Sequence, residues 1–295
     1  MTASGAPGEF WLSAPAKLNL YLHVLGERDD GYHLLNSLVA FAGLRDELVF
    51  RPDDTLSLSI RGPFAPALEE VPLEENLVLR AARRLAEAIG VRQGAAITLV
   101  KNLPVAGGIG GGSADAAATL RGLIRLWGVA WEPGLLGALG LALGADVPVC
   151  LAGQAAFLGG IGEELTPAGK LPEAGLVLVN PGVALSTAAV FRAHGKAVSE
   201  AAPIRSLPGD AEGLAEFLKA RRNDLTEAAL RQAPVVGEAL EEIAGTAGCL
   251  LARMSGSGAT CFGLYRDLAA AKAAAAALRR RPSGWWIAAT TFLAG

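Results

Sequence analysis

Cysteine is scarce: the chain of 295 residues has three, Cys150, Cys249 and Cys261. They are odd in number, form no Cys-x-x-Cys pair and sit inside apolar runs. This excludes a disulfide framework and suits a protein of the reducing cytoplasm with buried thiols. Blocks of one charge are equally rare. Lys and Arg number 26 against 29 Asp and Glu, for a net charge of −3. The only dense basic runs, Arg83-Arg84, Arg221-Arg222 and Arg279-Arg280-Arg281, fall at or near expected helix ends. Affinity for a nucleic-acid backbone comes from clustered cations, so the charge balance argues against a broad nucleic-acid footprint. The first nine residues have neither the basic start nor the apolar core of a signal peptide and read as a frayed tail. The weakly polar stretch 133–145 is too short and too glycine-broken to cross a bilayer. These absences predict a soluble cytoplasmic protein without nucleic-acid or membrane partners.

Apolar residues and glycine are plentiful, at 52% and 37 residues. The length exceeds one typical core, so two domains are expected, each burying its own interior. Glycine is concentrated in Pro104-Val-Ala-Gly-Gly-Ile-Gly-Gly-Gly-Ser-Ala114. An apolar strand pattern over 96–100 precedes this stretch, and an alanine-rich helix pattern over 116–126 follows it. A flexible linker would have no such regular neighbours. Without Cβ atoms the backbone curls closely around a ligand, and the following helix start offers unpaired amides and partial positive charge. Phosphate binding is the first functional expectation. No lysine follows the glycines, which excludes the P-loop pattern, and the third glycine of a dinucleotide fingerprint is missing.

Taken in order, 10–13 predicts a short strand that Pro15 interrupts. Leu18, Leu20, Leu22 and Val24 then alternate with Asn19, Tyr21 and His23. Lys17 and Asn19 share one face, about 7 Å apart, and can reach one ligand unless this is merely a solvated edge strand. Gly26 to His33 reads as a polar loop, 38–50 as strand-like and 53–62 as a strand pair. Asn76 caps a helix whose Val78, Ala81, Ala82, Leu85 and Ile89 form one apolar stripe, stopped by Gly90. A helix over 132–143 precedes Asp146, an acid directly before an expected apolar strand at 147–151. Residues 159–172 are expected to cross between domains. The remainder predicts a strand at 176–180, helices within 187–195, 211–221, 225–232 and 235–245, strands at 250–254 and 260–265, a helix over 267–281 and a strand at 285–292. This order is that of an α+β sandwich. The turn Ser255-Gly-Ser-Gly258 either approaches a phosphate or simply closes a hairpin.

Ala14-Pro-Ala-Lys-Leu-Asn19, the glycine stretch from Pro104 to Ser113, and Met254-Ser-Gly-Ser-Gly-Ala259 resemble the three ordered motifs of the GHMP kinases. Gly31-Tyr-His33 and Leu143-Gly-Ala-Asp-Val-Pro148 look like those members whose substrate carries a cytidine diphosphate. The resemblance runs from about Phe10 to the final strand. It implies an α+β, two-lobed GHMP kinase fold: an N-terminal mixed α/β lobe over 1–163, a C-terminal ferredoxin-like sandwich over 164–295, and a cleft between them. It implies ATP and Mg²⁺ as cofactors, with Pro104, Val105, Ala106, Gly107, Gly108, Ile109, Gly110, Gly111, Gly112, Ser113, Ala114 and Asn76 on the nucleotide. Asp146 becomes the base that takes the substrate hydroxyl proton, and Lys17 the cation that stabilises the moving phosphoryl. Asn19 and Thr187 would hold the substrate, Tyr32 and Phe191 would stack on its cytosine, and His33 would read the base edge. The implied substrate is a CDP-linked methylerythritol phosphorylated on its 2-hydroxyl. Ala114 stands where many members have a second serine, so that hydroxyl's contact falls to Ser113 or to water. The family's usual acidic magnesium ligand has no evident counterpart, and the metal ligands stay open. Other GHMP kinases, for mevalonate-type, homoserine or sugar substrates, and a non-catalytic nucleotide- or RNA-binding module are the rival readings. The sequence permits a homodimer without requiring one.

Overall fold

A computed structural model describes residues 8–204, 206–281 and 284–293; the expected N-terminal tail lies almost wholly outside them. In chain order the elements are β1 (Phe10–Glu27), β2 (His33–Asp53), β3 (Leu56–Arg61), α1 (Leu77–Ile89), β4 (Gly94–Val100), α2 (Gly111–Trp127), α3 (Pro133–Leu143) and α4 (Val147–Ala152). There follow β5 (Ala156–Gly159), β6 (Glu164–Pro167), β7 (Gly175–Asn180), α5 (Thr187–His194), α6 (Ala211–Lys219), α7 (Thr226–Gln232) and α8 (Val235–Ala244). The chain closes with β8 (Leu251–Met254), β9 (Cys261–Tyr265), α9 (Leu268–Leu278) and β10 (Trp286–Thr291).

Contacts gather these elements into two compact units, neither of them a single stretch. The first holds the chain through Ala16, Leu44–Val105 and Gly111–Ala152; the second holds Lys17–Gly43, Ala106–Gly110 and the chain from Gly153 onward. A single cut between 163 and 164 does not describe this grouping, because β1, β2 and the glycine stretch each supply residues to both units.

In the first unit the second half of β2 runs antiparallel to β4, with Glu47 opposite Val100 and Asp53 opposite Gly94. β3 lies parallel to β4, an arrangement that needs a crossover, and α1 supplies it. Asn76 Oδ1 accepts the Val78 amide at 2.9 Å, Gly90 closes the helix at φ 66°, and Val78, Ala81, Ala82 and Leu85 are buried. The expected cap and stop of α1 are therefore present, and four of its five stripe residues are buried, Ile89 being half-buried. α2 starts at Gly111, five residues before the predicted 116. A Cβ on Gly122 would stand 2.3 Å from the Phe50 ring, so this interior glycine lets α2 approach the sheet closely.

Three local expectations fail in this region. Pro15 does not interrupt a strand: β1 is continuous, and among the named strands it pairs only β2, which leaves an edge where a missing amide is tolerated. Residues 53–62 hold one strand instead of two. The expected strand after Asp146 is the short helix α4, whose Pro148 occupies the first turn, where its absent N–H has no partner to lose.

In the second unit β10-β7-β9-β8 form a four-stranded sheet, antiparallel throughout. α8 and α9 pack on it and on each other, burying Val177, Val179, Val236, Ile243, Ala271 and Leu278. The first half of β2 pairs β5, Ser37 opposite Leu158, and β5 turns back into β6. Much of the stretch expected to cross between domains is thus a hairpin, its glycines forming the tight return. Cys249 and Cys261 are free thiols. Among the described residues no helix is long and apolar enough to cross a membrane.

Candidate active site

In the second unit, Lys17 and Asn19 share a face of β1, and Lys17 Nζ donates to Asn19 Oδ1 at 2.8 Å. Each is 3% exposed, which rules out a solvated edge strand. Asn19 Nδ2 donates to Ser37 Oγ at 2.9 Å, so its amide is fixed in orientation. Residues 107–110 of the glycine stretch lie against the same strand, the Lys17 amide donating to the Ile109 carbonyl at 2.8 Å. Gly110 has φ 61°, and a Cβ there would stand 2.9 Å from Lys17 Cε. The close approach of Lys17 therefore requires glycine at 110.

The turn after β8 supports these loop residues. Ser255 Oγ donates to the Gly108 carbonyl at 2.9 Å and accepts the Asn19 amide at 3.1 Å. The Thr260 amide donates to the Gly107 carbonyl at 3.0 Å. A Cβ on Gly108, at φ 71°, would meet the Gly258 and Ser255 carbonyls at 2.5 and 2.6 Å. Asn223 Nδ2 in turn holds the Met254 and Gly256 carbonyls at 2.9 and 2.8 Å. The second glycine-rich turn thus braces the first as well as joining two strands. Ala106, at φ 53°, is the one described residue other than glycine with positive φ.

In the first unit, Pro104 and Val105 lead into the glycine stretch, and Gly111, Gly112, Ser113 and Ala114 form the opening of α2. A Cβ on Gly112 would lie 3.3 Å from Leu77 Cδ1, so the start of α2 neighbours the start of α1 and its cap Asn76. Beneath Gly111 lies a buried cluster. Lys101 Nζ is 2.6 Å from Asp46 Oδ2 and 2.7 Å from Asp115 Oδ2, while Asp46 Oδ1 accepts the amides of Asn102 and Leu103. Burial pushes Asp115 up to about 7 against the pull of Lys101, and Asp46 adds to the rise; the same two carboxylates outweigh burial and hold Lys101 above its ordinary value. Asp115 Oδ1 is buried without a hydrogen-bond partner. Asp146 is half-buried just before α4, and its carbonyl accepts the Cys150 amide at 3.2 Å.

Of the expected base-reading residues, the rings of His33 and Phe191 lie 4.7 Å apart, tilted by 33°. Tyr32 is 55% exposed, and no ring contact joins it to either. Thr187 opens α5, its hydroxyl 2.9 Å from Ser257 Oγ.

Residues 76–154 match the GHMP kinases N terminal domain family and residues 200–284 the GHMP kinases C terminal family. The chain belongs to the GHMP kinases. The two matches fall on either side of residues 163 and 164. This GHMP kinase is 61% identical over 264 residues to 4-diphosphocytidyl-2-C-methyl-D-erythritol kinase of Paramagnetospirillum magneticum, covering 90% of this chain and 92% of the relative. It is 55% identical to the protein of the same name from Rhodospirillum rubrum, covering 86% and 83%. A crystal structure of 4-(cytidine 5'-diphospho)-2C-methyl-D-erythritol kinase superposes with a TM-score of 0.80 at 35% identity, covering 97% of this chain and all of that one. The mixed α/β architecture with N- and C-terminal family domains is as expected.

Sequence reasoning missed Lys101, Asp46, Asp115, Asn223 and the bracing role of Ser255. One signal was available for Asp115, an acid set in an alanine run directly after the glycines. The others are ordinary residues until the chain is folded.

Proposed function

We propose that this GHMP kinase transfers the γ-phosphoryl group of ATP to the 2-hydroxyl of 4-(cytidine 5'-diphospho)-2-C-methyl-D-erythritol, a step in non-mevalonate isoprenoid precursor synthesis. The high identity to kinases of that name supports the reaction. The observation that carries the substrate reading is the His33–Phe191 ring pair, a surface suited to a planar base and useless to an alcohol without one. Free thiols at Cys249 and Cys261 fit an enzyme of the reducing cytoplasm.

Phosphoryl transfer needs positioning and charge neutralisation more than covalent chemistry. In this reading the amides from Gly107 to Ser113, with the start of α2, receive the phosphates, and Asn76 faces the nucleotide. Asp146 accepts the proton as the hydroxyl oxygen attacks in line. Lys17, oriented by Asn19, stabilises the charge on the phosphoryl in transit. Asn19 and Thr187 orient the polyol. His33, Phe191 and the exposed Tyr32 engage the cytosine; Tyr32 would have to close on the ring pair to complete a sandwich.

Among the described residues no three Asp, Glu, His or Cys side chains converge, so the donors do not fit an all-protein metal cage. They fit Mg²⁺ held chiefly by phosphates and water. When bound, the ion would neutralise the β- and γ-phosphates.

The test is ADP release with CDP-linked and UDP-linked methylerythritol, on the wild type and on His33→Ala and Phe191→Ala. The wild type should favour the CDP compound, because a site built to bond a group rejects analogues that leave it unpaired. Phe191→Ala should raise KM for the CDP compound by roughly 5- to 150-fold, on the ~1–3 kcal/mol that base stacking contributes elsewhere, with KM for ATP nearly unchanged. His33→Ala should narrow the preference. Equal use of both bases by the wild type refutes the cytosine reading and leaves a GHMP kinase of another specificity.

A further inference from the structure

Three buried charges lie beneath the opening of α2, and the proposed reaction uses none of them. Lys101 Nζ is 2.6 Å from Asp46 and 2.7 Å from Asp115, and a Cβ on Gly111 would stand 3.2 Å from that ammonium. The backbone of Lys101 is fixed as well. Its amide donates to the Arg61 carbonyl at 2.7 Å, and its carbonyl accepts the Phe64 amide at 3.1 Å. Gly62, at φ 107°, runs so close that a Cβ would meet the Lys101 carbonyl oxygen at 2.7 Å. Asp46 Oδ1 takes the amides of Asn102 at 2.6 Å and Leu103 at 2.8 Å, the last residues before Pro104. One ammonium therefore ties the chain entering the glycine stretch to the helix that leaves it.

Burying such ions costs about as much desolvation as their attraction returns, so the cluster is weak evidence for stability and better evidence for a fixed geometry. We propose that Lys101, held by Asp46, is a positioning residue for ATP. It fixes the amides of Gly111, Gly112 and Ser113 relative to Leu103, so the phosphates meet donors already ordered and binding incurs less entropy loss. The role concerns nucleotide affinity and not proton removal from the alcohol, and it rests on the kinase reading above.

The experiment compares wild type, Lys101→Met and the charge-matched Lys101→Met/Asp115→Asn by ADP titration calorimetry, steady-state kinetics in both substrates, and thermal melting. Both variants should bind ADP about 10-fold or more weakly and show a matching rise in KM for ATP, because the loop is then ordered at the expense of binding, while KM for the alcohol stays nearly constant. Unchanged ADP affinity in a cooperatively melting variant overturns the proposal, and so does a parallel rise of both KM values. If Lys101→Met does not fold, the double variant decides. Failure of both to fold assigns the ammonium to stability and also overturns it. A wild type that neither binds ADP nor turns over ATP refutes the kinase reading itself, whereas equal ADP binding by wild type and variants refutes only the role of Lys101.

Discussion

At the residue scale, two substitutions separate proton transfer from positioning. Asp146→Asn keeps the shape but cannot accept the hydroxyl proton. It should lower kcat by ~10²–10⁴-fold with ADP affinity retained, as read by stopped assays and calorimetry. A variant keeping most of its kcat would remove Asp146 from the role of base. Gly110→Val tests a different cause. Its side chain begins where Cβ already lies 2.9 Å from Lys17 Cε, and it must also adopt φ 61°, which costs an L residue roughly 1–2 kcal/mol. The variant should melt lower and lose kcat through displacement of Lys17, beyond any loss of nucleotide affinity. Weakened ADP binding with kcat intact would mean that Gly110 serves the phosphates alone. The glycines of this loop were legible as a close approach of backbone to something; that one neighbour is Lys17, more than ninety positions earlier, was not.

At the element scale, the turn between β8 and β9 is predicted to matter to a loop far away in sequence. Ser255 is fully buried, and Ser255→Ala leaves the Asn19 amide and the Gly108 carbonyl without that partner. The cost should be about 1–3 kcal/mol, a fall in Tm of several degrees, with KM for ATP raised. Differential scanning calorimetry reads the first and kinetics the second; a melt within error of wild type would show that water replaces the hydroxyl. Elements with a strong period or cap were legible beforehand. α1 announced itself through Asn76, its apolar stripe and Gly90, and the elements from β7 to β10 lay within a few residues of their expected places, whereas the β5–β6 hairpin was not foreseen. α4 was not legible. Its six residues, Val-Pro-Val-Cys-Leu-Ala, are too few to display a helical period, and their β-branched composition reads as strand until neighbouring helices pack against them. β1 hid its continuity behind Pro15. It also hid its burial, since Lys17, Asn19, Tyr21 and His23 are covered along with the leucines between them, and polar residues on a covered strand look like a solvent face.

At the scale of the whole molecule, stability should fall in acid through His23. Burial holds this ring below its ordinary value. Its Nε2 accepts the Arg222 amide at 3.3 Å, so the proton of the neutral ring is on Nδ1, facing the Glu200 carbonyl at 3.2 Å. A second proton would set two donors against each other. A histidine depressed on folding contributes stability above its unfolded value, about 6.5, and that contribution is lost as pH falls through the folded value. Urea midpoints should therefore drop between neutral pH and about pH 5 more steeply in the wild type than in His23→Gln. Parallel curves would assign the acid sensitivity elsewhere. The sequence by itself determined the existence of a glycine-rich loop between strand and helix, the order of most elements and the family, because these rest on local propensity and on contiguous motifs. Only the tertiary structure decided that Ser255 braces Gly108, that Lys101 is clamped between Asp46 and Asp115, and that β1, β2 and the glycine stretch each serve two compact units. Such contacts join residues tens to hundreds of positions apart, and no local preference encodes which distant side chain arrives; that depends on how the strands and helices pack.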